Sequence, residues 1–262
     1  MFSVSKLTSE RKSELLIAEV VFGKQIICLK CKQKLLRRDK YYWCSHCRQK
    51  FRLRTLIGFS RSKLSYKKIL VLIIAWQKKL SPGAIKHLKG ISYTAISRWN
   101  SRFRKLLPIY PELLKGIIEV DESFFGKRKY NNQKIVMGAI ERKTNKLKLS
   151  QIPDREQDSL EYFLYKKVDT ESKLHTDCWT AYYDLYWNGY GHEMHNHSKG
   201  KFAGTNHIES VWSNSKRQIR RSYGQIRTNK LDEMLIEWEA RYNFPELFKN
   251  PLTYLKGVLV PY

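Results

Sequence analysis

Acidic side chains are scarce in this sequence. It has 24 Asp and Glu against 50 Lys and Arg, a formal net charge of +26 over 262 residues. The shortage is local. Residues 1–110 hold 4 acids against 26 bases, a net of +22, whereas the remainder holds 20 against 24, a net of +4. A cationic part of this density points to a polyanionic partner, most simply DNA or RNA, with an acidic membrane surface as the competing reading. Long apolar runs are missing too. Ile69–Trp76 is only eight residues, far short of the roughly 20 that a spanning helix needs. No signal peptide is expected either, so no membrane partner is expected. Cysteine is limited to five residues, four of them in two close pairs, with Cys178 alone. Without a secretory signal a disulfide framework is not expected, and the pairs point to a metal in a reducing, intracellular compartment. Core-forming material is not lacking: the chain is 42% hydrophobic and 13% aromatic, which excludes wholesale disorder.

Residues 1–23 read as a helix ended by Gly23, with no chemistry assigned. Next come Cys28-Leu-Lys-Cys31, twelve intervening residues, and Cys44-Ser-His-Cys47. Two such knuckles at this spacing match a Cys₄ structural zinc site with Cys28, Cys31, Cys44 and Cys47 as ligands. Lys30, Lys32, Lys34, Arg37, Arg38 and Arg48 favour the thiolates and can meet phosphate. His46 sits between ligands and is expected to face solvent. Residues 65–107 read as three helices: Ser65 to about Lys79, a short one from Ser81-Pro82 through Leu88, and Tyr93–Leu107 capped by Ser92. Gly90 makes the turn between the last two. This is the helix-turn-helix pattern. Ala95, Ile96 and Trp99 would face inward. Ser92, Tyr93, Thr94, Ser97, Arg98, Asn100, Ser101, Arg102 and Arg104 include the side chains available to a groove. A plain helical bundle with a solvated basic face is the alternative.

Beyond the short linker at Pro108–Gly116 the composition changes. Gly116–Asp121 reads as an apolar strand ending in acids, followed by a basic loop, Ser123–Tyr130, that includes Lys127 and Arg128. Strands are expected at Ile135–Ile140, Leu147–Ile152 and Lys173–Asp177, and another at His192–His197. Helices are expected at Asp154–Lys167, from Cys178 to Leu185, at Asn206–Arg221 and at Lys230–Phe244. The stretch Thr205–Lys216 opens one of these helices. Thr205 or Asn206 can cap it. Ile208, Val211 and Trp212 form its apolar stripe, and Glu209 and Lys216, about two turns apart, share a face.

Acids therefore fall at the end of the first strand (Asp121), at the end of the fourth (Asp177) and in the first turn of a later helix (Glu209). In a β-β-β-α-β-α-β-α order the first and fourth strands commonly lie side by side, which would bring Asp121 and Asp177 together. Three carboxylates at one point require a divalent cation, and hard oxygen ligands suit Mg²⁺ or Mn²⁺. Two such ions can drive displacement at a phosphodiester, with Lys216 holding phosphate. Singly, Asp121 reads as a cap of the loop after its strand, Asp177 as a helix N-cap, and Glu209 as a complement to the helix dipole. Glu119 and Glu122 flank Asp121 and could exchange roles with it if the register shifts. His175, His195, His197 and His207 would suit metal ligands in a nuclease, but read rather as phosphate donors or as surface side chains. Trp179 and Trp212 read as core, and Cys178 as a small buried residue.

Val120-Asp121-Glu122-Ser123-Phe124, His175-Thr176-Asp177-Cys178-Trp179-Thr180-Ala181-Tyr182, and Asn206-His207-Ile208-Glu209-Ser210-Val211-Trp212 with Lys216 resemble the catalytic segments of DDE-type transposases. The nearest resemblance is to the insertion-sequence group with an N-terminal zinc ribbon that is related to eukaryotic Merlin elements. It covers nearly the whole chain. It implies an α/β protein: an N-terminal helix (1–23), a zinc ribbon (24–60), a helix-turn-helix region (61–110) and a ribonuclease H-like mixed-sheet catalytic domain (111–262). It implies a cut-and-paste DNA transposase with Asp121, Asp177 and Glu209 as the metal-binding triad for two Mg²⁺ or Mn²⁺ ions and Lys216 as the accessory cation. The ribbon and Tyr93, Thr94, Arg98, Arg102, Lys127 and Arg128 would contact double-stranded DNA, both the element's terminal inverted repeats and its target. A homo-oligomer on paired ends is expected by the same resemblance, acting in the nucleus of a eukaryotic host or the nucleoid of a bacterial one. A transposon-derived DNA-binding regulator and a ribonuclease H-like nuclease are the alternatives.

Overall fold

The computed structural model describes residues 9–23, 25–60, 62–127, 133–178, 189–195, 204–225 and 227–259. These fall into two compact units. One comprises the described residues of 1–80, 84–106 and 246–262, the other those of 81–83 and 107–245. Among the described residues no helix is long and apolar enough to cross a membrane.

In the first unit, α1 (Glu10–Phe22) begins at Ser9, whose hydroxyl accepts from the Lys12 amide. A three-stranded antiparallel meander follows: β1 (Leu36–Arg37), β2 (Tyr42–Cys44) and β3 (Gln49–Phe51). One turn of helix, α2 (Leu53–Leu56), leads to α3 (Tyr66–Gln77), α4 (Pro82–Lys89) and α5 (Tyr93–Lys105), close to the expected bounds. Ser65 and Ser92 cap α3 and α5 as expected, accepting from the Lys68 and Ala95 amides. Gly90 turns the chain with φ 59°, a conformation glycine adopts without strain. The Glu10 carboxylate accepts from the amides of Tyr66 (2.6 Å) and Lys67 (3.3 Å), so α1 supplies a second cap to α3.

The sequence pattern predicts no element near the C-terminus, yet Pro251–Val258 is a helix. Asn250 caps it, accepting from Leu252 and Thr253 with Pro251 in the first turn. It closes an aromatic core. The Trp76 ring lies 5.3 Å from those of Phe248 and Tyr254 and 5.5 Å from Phe103, and the Tyr254 hydroxyl donates to the Phe103 carbonyl.

The second unit is a five-stranded mixed sheet. Its strands are β4 (Ile117–Phe125), β5 (Lys134–Glu141), β6 (Leu147–Ile152), β7 (Lys173–Asp177) and β8 (Gly191–His195), in the order β6-β5-β4-β7-β8. The first three are antiparallel. β4 is parallel to β7, and β7 to β8. The first and fourth strands are thus neighbours, and the order is the expected ribonuclease H-like one. One face packs α6 (Gln157–Lys167) on Ile118, Val120 and Leu174. The other packs α7 (Asn206–Tyr223) and α8 (Leu231–Asn243) on Phe125, Val136 and Leu149. Fully buried Glu237 of α8 accepts from Gln218 of α7 at 2.9 Å and from Arg241 at 2.8 Å.

The sequence pattern ends the first strand at Asp121 and begins a basic loop at Ser123. The strand instead runs to Phe125, because β5 continues to pair with it through Phe125↔Lys134. Arg128, the expected helix from Cys178 to Leu185 beyond its first residue, and His197 lie outside the described residues.

Asp121 pairs with Gly138. A Cβ at Gly138 would lie 2.8 Å from the Trp212 ring and 2.9 Å from Ile208 Cδ1, so the missing side chain is what lets α7 sit on the sheet. Gly138→Ala is expected to destabilise the protein by about 1–3 kcal/mol, the usual range for overpacking. A denaturant midpoint equal to that of the parent would contradict this close approach.

Candidate active site and metal centres

Side chains alternate along a strand, so β4 divides its acids between two faces. Glu122 faces α6 and is ion-paired with Arg155. Glu119 and Asp121 face α7. Glu119 is fully buried and paired with Arg142 at 2.7 Å. It also accepts from the amides of His207 (2.7 Å) and Ile208 (3.2 Å) and contacts His207 Nδ1 at 2.7 Å. This corrects the capping expectation. Thr205 stands at the N-cap position but makes no side-chain cap; its hydroxyl donates to Glu209 Oε1 at 2.9 Å. The first-turn amides of α7 are satisfied by a carboxylate from another element, which also complements the helix dipole. Glu119 is therefore engaged in placing the helix, and Glu122 points away. Of the three acids in β4, Asp121 alone is left on the α7 face without a basic partner among its described contacts.

Asp121 Oδ2 accepts from Trp212 Nε1 at 3.0 Å, so α7 also orients this carboxylate. β4 and β7 pair only over Ile117–Glu119 and Lys173–His175. Beyond that point the ladder ends, and Asp121 and Asp177, each two residues past the last pair, stand on either side of the break. Burial, with the Glu122 charge and to a lesser degree that of Asp177, pushes the Asp121 carboxyl up to about 7. This suits a cation: a buried carboxylate crowded by others is relieved by a divalent ion held between hard oxygens. Glu209 lies in the first turn of α7 and is exposed, as is Lys216 two turns on. The three carboxylates do not all come within 4.8 Å of one another. Among the described residues two clusters do close to that limit: the four cysteines, and His175 with Glu193 and His195.

The four cysteine sulfurs converge as the spacing predicts. Cys31 and Cys44 Sγ are 3.5 Å apart, and Cys28 and Cys47 Sγ 4.0 Å. Sulfurs on a tetrahedral zinc at 2.3 Å would be about 3.8 Å apart. Burial raises the Cys28 thiol, but hydrogen bonds from the Cys31 and Lys30 backbone outweigh it and bring it down to about 7. Cys47 is pushed up to about 12, first by the Cys31 side chain and then by burial. Four thiolates at one point need a cation, and this donor set fits zinc. His46 is exposed, as expected.

Of the side chains expected to meet a polyanion, Tyr93, Thr94 and Arg98 are exposed on α5. Arg102 is not presented in the same way. It is half-buried, donates to the Gly58 carbonyl, and lies over the rings of Phe59 (5.0 Å) and Trp99 (5.4 Å). Asn100 and Arg104, also expected to be available, are buried. In the second unit Lys127, Lys216 and Arg220 line a groove of about 290 Å³ with Phe124 and Phe125. Sequence reasoning missed the Glu119–Arg142–His207 cap, because no local pattern links residues so far apart in the chain.

Residues 113–243 match the ISXO2-like transposase domain family. Among solved structures, the chain is similar to a simian T-cell lymphotropic virus intasome in complex with PP2A regulatory subunit B56 gamma, at 13% identity over 66% of this chain and 68% of that one, with a TM-score of 0.37. It is also similar to the HTLV-2 integrase catalytic core domain in complex with magnesium (11% identity, 50% and 87% covered, TM-score 0.34). A third is the BIV integrase catalytic core (14%, 50% and 84%, 0.36). No curated protein matches the chain.

Removing Glu119 leaves Arg142 without its carboxylate and two helix amides uncapped, so Glu119→Ala is expected to cost about 3–5 kcal/mol. Burial raises the Glu119 carboxyl, but Arg142, His207 and the two amides hold it below the ordinary carboxylate range. Its contribution is therefore full above about pH 4.5 and is lost as pH falls through the lower folded value. Asp121 behaves oppositely. In the metal-free protein its folded carboxyl is raised, so stability declines as pH rises from about 4 towards 7. Asp121→Asn is expected to stabilise metal-free protein at pH 8 and not at pH 4. Equal melting shifts at both values would refute that assignment. Chelation is expected to expose residues 24–54 to protease, since so small a core does not fold without its metal; continued protection would refute it.

Proposed function

The chain belongs to the ISXO2-like transposase family, and we propose that it is a DNA transposase that cuts at the ends of its element and joins the freed 3′ ends to target DNA. The observation that carries this reading is the parallel pairing of β4 and β7, which ends just before Asp121 and Asp177, beneath the helix that bears Glu209. Asp121, Asp177 and Glu209 would hold two Mg²⁺ or Mn²⁺ ions, which when bound supply charge neutralisation at phosphorus and an activated attacking oxygen. Trp212 orients Asp121, and the Glu119 cap sets the position of Glu209. Lys216, with Lys127 and Arg220 along the same groove, supplies positive charge for the phosphate backbone.

Two displacements use the same site. In the first, a water oxygen bonds to phosphorus at the element end, and the bond to the 3′ oxygen breaks to leave a 3′-hydroxyl. In the second, that hydroxyl attacks a target phosphorus in line, loses its proton and displaces the target's own 3′ oxygen. No covalent protein–DNA intermediate is needed. The cysteine ribbon and α5, through Tyr93, Thr94 and Arg98, would bind the terminal repeats. A multimer would hold two ends together in whichever compartment contains the DNA.

Asp121→Asn, Asp177→Asn and Glu209→Gln are each expected to abolish Mg²⁺-dependent cleavage, by a factor of about 10³ or more, while leaving DNA binding in place. Cleavage unchanged in all three would reject this triad. Wild-type protein that binds DNA without cutting it would mark a regulator, and cleavage without joining to a second duplex a nuclease. Lys216→Ala is expected to weaken binding of the cut end and to reduce its salt dependence.

A further inference from the structure

We propose that His175, Glu193 and His195 form a second metal site in the sheet, separate from the carboxylates, for a borderline-soft divalent ion of the Zn²⁺ type. His175 on β7 and Glu193 on β8 are direct cross-strand partners, and His195 lies two residues further along the same face. One ligand atom from each lies within 4.8 Å of the others. His195 Nε2 is 2.8 Å from His175 Nδ1. The Glu193 carboxylate oxygens are 3.7 Å from His175 Nε2 and 3.6 Å from His195 Nε2. Ligands on a tetrahedral zinc, at about 2.0–2.2 Å from it, are separated by about 3.3–3.5 Å, and the two distances from the imidazole Nε2 atoms to the carboxylate lie close to that value.

Two further observations point to a ligand. His175 is 5% exposed, and its Nε2 is buried with no hydrogen-bond partner among the described residues. A proton shared between the two imidazoles satisfies only the nitrogens they turn towards each other, and leaves that atom orphaned at a cost. The rings are also held in place. They stack at 4.8 Å and 22°, and a Cβ at Gly204 would fall 2.0 Å from the His195 ring, so the backbone there packs closely against the ring. Gly204 is tied in turn to Arg142 through its carbonyl at 2.8 Å. Preformed imidazoles lose little freedom on binding an ion.

The donor set decides the ion. Two nitrogens and one carboxylate suit Zn²⁺ and its neighbours, whereas the all-oxygen set of Asp121, Asp177 and Glu209 suits Mg²⁺ or Mn²⁺. The charges nearby permit a cation. Arg142 is neutralised by Glu119, and Lys173, now 2.6 Å from Glu193, is half-exposed and free to turn to solvent when the carboxylate ligates. A bound ion would fasten the edge strand β8 to β7 next to Asp177.

The test uses the full chain, stripped of metal and reloaded with Zn²⁺ or Co²⁺ in excess Mg²⁺. Wild type is expected to hold two ions per chain. His195→Asn and Glu193→Gln are expected to hold one, keeping the thiolate-to-cobalt absorption of the cysteine site and losing the weaker visible bands of the other. Glu193 is exposed at a strand edge, so its variant tests the site even if a histidine variant fails to fold. Wild type that holds a single ion on the cysteines would overturn the proposal. So would a second ion that survives His195→Asn and Glu193→Gln but is lost with Asp121→Asn.

Discussion

Glu119 joins three parts of the chain that are far apart in sequence. Its carboxylate is fully buried, and it takes up the Arg142 guanidinium from the end of β5 and the first amides of α7. An ionised carboxylate at such depth is costly unless it is both paired and hydrogen-bonded. Here both conditions are met, and the same contacts that stabilise the charge determine where α7 begins. Glu209 is three residues into that helix and Lys216 ten, so both inherit their positions from a residue on the central strand. Arg142 carries the linkage further, through the Gly204 carbonyl to the backbone that lies against His195.

The face of the sheet under α7 concentrates chemistry. Glu119 and Asp121 on β4, His175 and Asp177 on β7, and Glu193 and His195 on β8 lie in two adjacent rows. Beside these rows the same face is apolar, with Phe125, Val136 and Leu149 packed under α7 and α8. The opposite face is apolar around Ile118, Val120, Met137 and Leu174. The sheet thus buries a core on both faces and groups these ionisable side chains beside the core on the α7 face. Gly138 and Trp212 mark the boundary. The absent side chain admits the indole, and the indole reaches past it to Asp121.

Much of this was legible along the chain. The helices at 66–77 and 93–105 announce themselves by serine caps and apolar periodicity, and the cysteine pairs by their spacing. Local rules suffice there because the partners are only a few residues apart. The relation between β4 and β7 followed from the order of elements, since a parallel neighbour to the first strand is the usual completion of a β-β-β-α-β run. What failed to show were contacts made at long range. Thr205 has the residue type of a cap, but a carboxylate 86 positions upstream takes its place. Arg102 looks like a groove-facing base on a basic helix, but Phe59 and Trp99 offer its guanidinium two aromatic faces. The strand through Ser123–Phe125 reads as a loop until β5 is seen to pair with it.

By itself the sequence determined most of the element types, the cationic character of residues 1–110, the cysteine cluster, and the placement of Asp177 at a strand end and of Glu209 in the first turn of a helix. These depend on residue type, period and order, which are properties of the chain. Only the tertiary structure decided which acid does what. Alternation and pairing turn Glu122 to one face and bury Glu119 under a helix, and Asp121 is left where the β4–β7 ladder ends. Sheet register likewise brought His175, Glu193 and His195 together, although nothing in their spacing suggests a shared site. Side chains acquire such roles when distant segments are brought within a hydrogen bond of each other, and the distance along the chain carries no trace of it.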